Sequence, residues 1–210
     1  MDVTFVISAF TAIFIVVNPI SKVVIFPMLT EGYTSEERMA TLAISIYASF
    51  LLFAVFGIFG HFLFGALGVG YNALRLTGAV VLFKIGFDML QGQLPKTKPG
   101  VEETAEAAEK KMVGIFPLAV PFISGPAALI TVMLYVSEAP GNTEGVLVFV
   151  STAIVCLITL ACLYYANDIF DRIGRVGILT TVRIMGMILL AISLQMMINA
   201  IRILGPELAG

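Results

Sequence analysis

Charge is scarce in this chain. Charged side chains make up 12% of its 210 residues against 59% hydrophobic ones, and the mean hydropathy is +1.02. Soluble domains carry about twice that share of charge, so a soluble core cannot absorb so much apolar surface. Cysteine is nearly absent. Cys156 and Cys162 lie within one apolar run at a spacing that does not stack on a helix, and they read as small core residues rather than a disulfide or metal pair. Histidine occurs once, as His61. There is no H-E-x-x-H zinc site, no G-x-S-x-G turn, no phosphate-binding glycine loop and no pair of membrane aspartates. These absences argue against an enzyme, against a metal or other cofactor, and against a nucleotide-driven pump. No basic patch marks a nucleic-acid partner, and a net charge of −2 says little about others.

What is present is long apolar sequence. Val3–Ser21, Met112–Ser137 and Gly145–Asn167 are free of charge, and each is long enough to cross a bilayer, which takes about 20 residues. Met1-Asp2 lacks the basic stretch of a signal peptide, so the first run reads as the first span. Six spans fit the hydrophobic runs, near Val3–Leu29, Thr41–Phe64, Leu74–Gln91, Val113–Val136, Gly145–Ala166 and Ile178–Ile203. Between the third and fourth lies a charged, proline-bearing linker, 93–112, which divides the chain into residues 1–92 and 113–210. Eight basic residues follow the odd-numbered spans: Arg38, Lys96, Lys98, Lys110, Lys111, Arg172, Arg175 and Arg183. Arg75 and Arg202 lie on the other side. The positive-inside rule then puts the linker in the cytoplasm and both termini outside.

The halves repeat. Asn18-Pro19 and Gly125-Pro126 interrupt matched apolar stretches, one in each half, and Val69-Gly70 recurs as Val176-Gly177 at the same offset. Arg75-Leu-Thr-Gly78 recurs as Arg183-Ile-Met-Gly186, Val80-Val81-Leu82 as Ile188-Leu189-Leu190, and Met89 as Met197, at an offset longer by a single position. Three spans per half is an odd number, so the second half must be inserted upside down. The expected fold is an all-α membrane protein of two inverted three-helix repeats, with discontinuous first and fourth helices, as in many secondary transporters.

The breaks are the candidate site. Proline removes a backbone donor and clashes with the preceding turn, and a broken helix is tolerated inside a bilayer only beside protein or a water-filled cavity. A break frees N–H groups on one half-helix, which favour anions, and carbonyls on the other, which favour cations. Two facing breaks suit a zwitterion. Asn18, Pro19, Ser21, Ser124, Gly125 and Pro126 are the residues placed to bind it. Lys22 and Lys84 are the intramembrane lysines, costly enough to pair, reach water or work, and Lys22, just past the break, is placed to reach exposed carbonyls or water. Lys84 and Asp88 stand one turn apart and can form an ion pair, either structural or gating. His61, near the outer end of the second span, and Asp168 at the repeat-equivalent position read as ordinary span ends before they read as proton carriers. Gln195, Asn199, Ser45 and Thr159 read as hydrogen bonds between helices.

Asn18-Pro19-Ile20 followed by Pro27, the run Pro117-Leu-Ala-Val-Pro121-Phe-Ile-Ser-Gly-Pro126-Ala and the paired Arg-x-x-Gly motifs resemble the MarC family of integral membrane proteins. That family includes SnatA-type transporters of small neutral amino acids such as glycine and alanine. The resemblance implies six helices in two inverted repeats, with the broken first and fourth spans lining the substrate site. It also implies an inner (cell) membrane location. Members often carry glycine after Asn-Pro-Ile, where this chain has Ser21 and then Lys22. The expectation is a secondary transporter of small neutral amino acids, coupled to protons or sodium. A passive channel or exporter of another small polar solute, and a non-transporting membrane scaffold, are the alternatives.

Overall fold

The computed structural model describes residues 2–92 and 113–208, so the expected linker lies outside the described residues. Among the described residues all regular structure is helical. The helices are α1 (Val3–Val17), α2 (Pro19–Leu29), α3 (Ser35–Ala66), α4 (Tyr71–Leu90), α5 (Gly114–Ile123), α6 (Pro126–Ser137), α7 (Asn142–Tyr164) and α8 (Ala166–Leu208). Among the described residues four segments are long and apolar enough to cross a membrane: Val3–Val23, Ser35–Ala66, Asn142–Tyr164 and Leu179–Ile203. Helix α4, which carries Arg75, Lys84 and Asp88, is not among them, and α6 is a shorter apolar helix.

Local chemistry sets the helix ends. Asp2 caps α1 by accepting from the Phe5 amide at 3.0 Å. Thr34 opens α3 with a reciprocal cap: its hydroxyl accepts from the Glu37 amide at 3.2 Å, and the Glu37 carboxylate accepts from the Thr34 amide at 2.9 Å. This cap starts α3 at Ser35, well before the expected Thr41, because a polar, well-capped turn extends the helix past its apolar run. Helix α5 is irregular, with extended backbone at Phe116 (φ −132°, ψ 121°) and Val120 (φ −121°, ψ 122°). Each of these precedes a proline, and proline pushes the residue before it out of the helical region. Helix α8 bends at Gly174, whose φ of +68° an L side chain rarely adopts.

The helices pack across the two halves of the chain. Helix α3 packs on α5, α6 and α7, while α7 packs on α1, α2 and α6. The closest association is between α4 and α8; α2 also lies on α8, and α4 on α6. The main core joins Ile13 and Val17 of α1, Phe26 of α2, Phe53 of α3, Leu118 and Ile123 of α5, Val132 of α6 and Val155 of α7. The outside is apolar as well: Phe62, Tyr47 and Val176 are each more than 70% exposed. Hydrocarbon covers such a surface far better than water does.

Candidate functional site: two helix breaks

At the first break α1 ends at Val17, Asn18 turns into the left-handed region (φ 48°, ψ 69°), and Pro19 opens α2. Asn18 tolerates that conformation better than most residues do, and proline's missing N–H costs nothing at a first helical position. The Asn18 amide N–H closes α1 by donating to the Phe14 carbonyl at 2.8 Å. Its side-chain oxygen accepts from the Ser21 amide at 3.3 Å, and the Ser21 hydroxyl donates back to the Asn18 carbonyl at 2.9 Å. The Asn18 amide nitrogen reaches the Met89 sulfur of α4 at 3.8 Å. Lys22 folds back over the turn: its Nζ donates to the Val17 carbonyl and, at 3.3 Å, to the Asn18 carbonyl.

The second break is built differently. Ser124 leaves α5 with both its amide and its hydroxyl donating to the Ala119 carbonyl, each at 2.9 Å. Gly125 is extended (φ −65°, ψ 163°) and Pro126 opens α6. The Leu129 amide donates to the Gly125 carbonyl at 3.0 Å, but no side chain caps the opening turn of α6. The amides of Ala127 and Ala128 therefore start the helix without a cap, an arrangement that favours a negative charge.

The two breaks meet on the α4–α8 pair. Val16, just before the first break, and Ala127, just after the second, pack in one cluster with Leu82 and Met89 of α4 and Val182 and Leu189 of α8. Asn18, Pro19, Lys22 and Ser124 are buried, Ser21 and Gly125 are half-buried, and Pro126 is exposed. A cavity of about 290 Å³ lined by His61, Phe64, Gly65, Gly68, Val69, Gly70 and Leu74 lies at the α3–α4 turn, away from both breaks.

The other candidates lie apart from this centre. Lys84 is exposed on α4 and Asp88 half-buried one turn on, and no ion pair joins these two described residues. The pair that does form links Arg75 of α4 to Glu138 at the end of α6. The expected hydrogen bonds between helices are corrected. Ser45 donates to Leu42 and Thr159 to Val155, each at 2.8 Å on its own helix, while the Gln195 side chain donates to that of Asn199 at 2.9 Å. A hydroxyl one turn from a carbonyl finds that acceptor before it finds another helix. His61 and Asp168 are exposed. Cys156 and Cys162 are free thiols. No group of metal-ligating side chains occurs among the described residues.

Sequence reasoning missed Met89 and Glu138 as partners. A signal for Glu138 was available, because Glu31 precedes it by the same offset that separates Pro19 from Pro126. Met89 gave none beyond its repeat with Met197.

The family model described as MarC family integral membrane protein matches residues 3–204. A UPF0056 membrane protein of Methanocaldococcus jannaschii is 35% identical over 202 residues, 96% of this chain and 89% of the relative. One from Pyrococcus horikoshii is 36% identical over 195 residues, 92% of each chain. The UPF0056 membrane protein YvbG of Bacillus subtilis is 32% identical over 197 residues, 93% of each. No solved structure matches.

Proposed function

The chain belongs to the MarC family of integral membrane proteins, and from that premise we propose that it is a secondary transporter of small neutral amino acids, of the glycine and alanine type, working by alternating access. With four helices able to cross a bilayer it is a multi-pass membrane protein. The finer architecture in this reading has six spans. Residues 1–92 and 113–210 form two inverted repeats, the segment 93–112 lies on the cytoplasmic side of the cell membrane, and both termini lie outside.

The packing supports that plan. If α1, α2, α3 and α4 exchange with α5, α6, α7 and α8, the contact of α3 with α5 becomes that of α7 with α1. The contact of α3 with α6 becomes that of α7 with α2, and the contact of α2 with α8 becomes that of α6 with α4. The pairs α3–α7 and α4–α8 map onto themselves. Such an exchange is what a two-fold axis in the membrane plane would produce.

One observation carries the functional reading: both helix breaks, one from each half of the sequence, converge on one buried cluster between α4 and α8. A substrate carboxylate would meet the uncapped amides of α6. Its ammonium would meet carbonyls at the end of α5 other than the Ala119 carbonyl that Ser124 takes. Asn18, Ser21 and Ser124 would add hydrogen bonds, and the small Gly125 would let the backbone approach. Burial of Asn18, Lys22 and Ser124 favours an occluded carrier over an open pore.

The test is uptake of labelled glycine or alanine by proteoliposomes under an imposed proton or sodium gradient, with Gly125→Leu as control. Uptake that exchanges labelled for unlabelled substrate and disappears in the control supports a carrier. No uptake by correctly inserted protein overturns amino acid transport. Downhill flux without counterflow exchange would make the protein a channel.

A further inference from the structure

Lys22 is 5% exposed, and its ammonium is held by backbone carbonyls alone. Both carbonyls, of Val17 and Asn18, belong to the terminus of α1, and the left-handed turn at Asn18 puts them within its reach. No carboxylate of the described residues pairs with it. The last turn of α1 contains no basic residue of its own, so the negative end of that helix is neutralised only from α2. Neutral oxygen ligands, a helix C-terminus and exclusion from water are the surroundings that a small monovalent cation takes in a protein of broken helices. We propose that the carbonyl end of α1 is a site for a small monovalent cation, and that the Lys22 ammonium is its tethered occupant.

The second break has no counterpart. The repeat-equivalent of Lys22 is Leu129, half-buried in the apolar core, and there the Ser124 hydroxyl takes the Ala119 carbonyl instead. A carbonyl end filled by a lysine is therefore a property of the first half alone. A consequence follows if the chain is a transporter: a sodium ion has no room at the end of α1, and coupling at this break does not use one. The site itself stands without the transport reading.

Melting of the purified full-length protein in detergent tests it without any substrate. Lys22→Ala removes the occupant and leaves its space. Its midpoint should fall below that of the wild type. Sodium or ethylammonium chloride should then raise it, saturably, by about 3–5 °C at tenfold the dissociation constant, relative to tetraethylammonium chloride at equal ionic strength. Wild type and Lys22→Met, in which the place is filled, should not respond. A Lys22→Ala protein that melts alike in all these salts overturns the proposal, as does an equal response from wild type. If Lys22→Ala does not survive purification, the wild type decides: a saturable, sodium-specific stabilisation over potassium and choline means that the cation place is not filled. Because no amino acid enters the measurement, failed uptake and a failed cation site are told apart.

Discussion

Arg75 and Glu138 form an ion pair that fastens the start of α4, in the first half of the chain, to the end of α6 in the second. The repeat relates Arg75 to Arg183 and Glu138 to Glu31, yet Glu31 and Arg183, both exposed, are not joined. The two halves thus share a sequence device that is closed in one copy and open in the other. The formed pair is 28% and 41% exposed, and pairs of that kind contribute only about 0–1 kcal/mol, weak enough to open and close readily.

Alternating access predicts that these pairs exchange. In a background of Cys156→Ser and Cys162→Ser, cysteines at 75 and 138 should be bridged in the resting protein by a reducible bifunctional thiol reagent. The reagent must be about as long as the Arg–Glu pair it replaces, since a direct disulfide is too short for that span. Cysteines at 31 and 183 should crosslink only while substrate is being turned over. Either crosslink should stop uptake, and reduction should restore it. Uptake that continues at full rate with the 75–138 crosslink in place would exclude the exchange.

The α4–α8 contact should tolerate no side chain at its centre. A β-carbon on Gly86 would lie 2.9 Å from the Leu190 nitrogen and 3.0 Å from the Gly186 oxygen; one on Gly186 would lie 2.8 Å from both the Gly86 oxygen and the Leu90 nitrogen. These are backbone atoms, so the helices themselves must part. Gly86→Ala and Gly186→Ala should each cost about 3 kcal/mol, the upper end for overpacking, and lower the melting midpoint by roughly 6–12 °C. Gly92→Ala is the foil for crowding, since its β-carbon would meet only the flexible Arg183 side chain, and its φ of +71° alone should make it costly. An unchanged midpoint for Gly86→Ala would mean that α4 and α8 are not held this closely.

Asn18 separates backbone strain from side-chain function. Its φ of 48° costs an ordinary residue about 1–2 kcal/mol, and its cap on Ser21 is worth about 1 kcal/mol. Asn18→Ala loses both and should be destabilised by about 2–3 kcal/mol. Asn18→Gly keeps the turn and, because glycine is nearly as good at that position, should melt within about 1 kcal/mol of wild type. If the Asn18 side chain serves the substrate, Asn18→Gly should nevertheless lose at least about tenfold in uptake. Full uptake by Asn18→Gly would leave Asn18 a structural cap and nothing more.

The breaks were legible in the sequence because proline acts locally. It interrupts a helix wherever it stands, and the repeat that relates Pro19 to Pro126 needs no coordinates. The helices around them were legible for a related reason, since apolar runs long enough to span a bilayer form helices. The capped extension of α3 back to Ser35 is polar, so a search for apolar runs passes over it. Pairings across the fold were harder to read. Met89 lies 71 residues from Asn18 and Arg75 lies 63 from Glu138, and only packing brings either pair together. Lys22 sits between the two cases: its place just past the break offered it exposed carbonyls or water, but which carbonyls it takes depends on the left-handed turn at Asn18.

Gly125 offers the sharpest distinction between structure and transport. Its φ of −65° is open to every residue, so the backbone gives no reason for glycine there. In the proposed transporter reading the reason is the substrate, which must approach the uncapped amides of Ala127 and Ala128. Gly125→Ala should therefore melt within about 1 kcal/mol of wild type, as a substitution at an unstrained position does, while its apparent affinity for glycine weakens. Alanine, the bulkier substrate, should lose more. Gly125→Leu should abolish uptake of both. Thermal melting and uptake must be read on the same preparation, because a Gly125→Ala protein that transports normally would remove the second break from the binding site, whatever its stability. If both fall together, glycine is required by the fold, and the substrate must be sought elsewhere along the two half-helices.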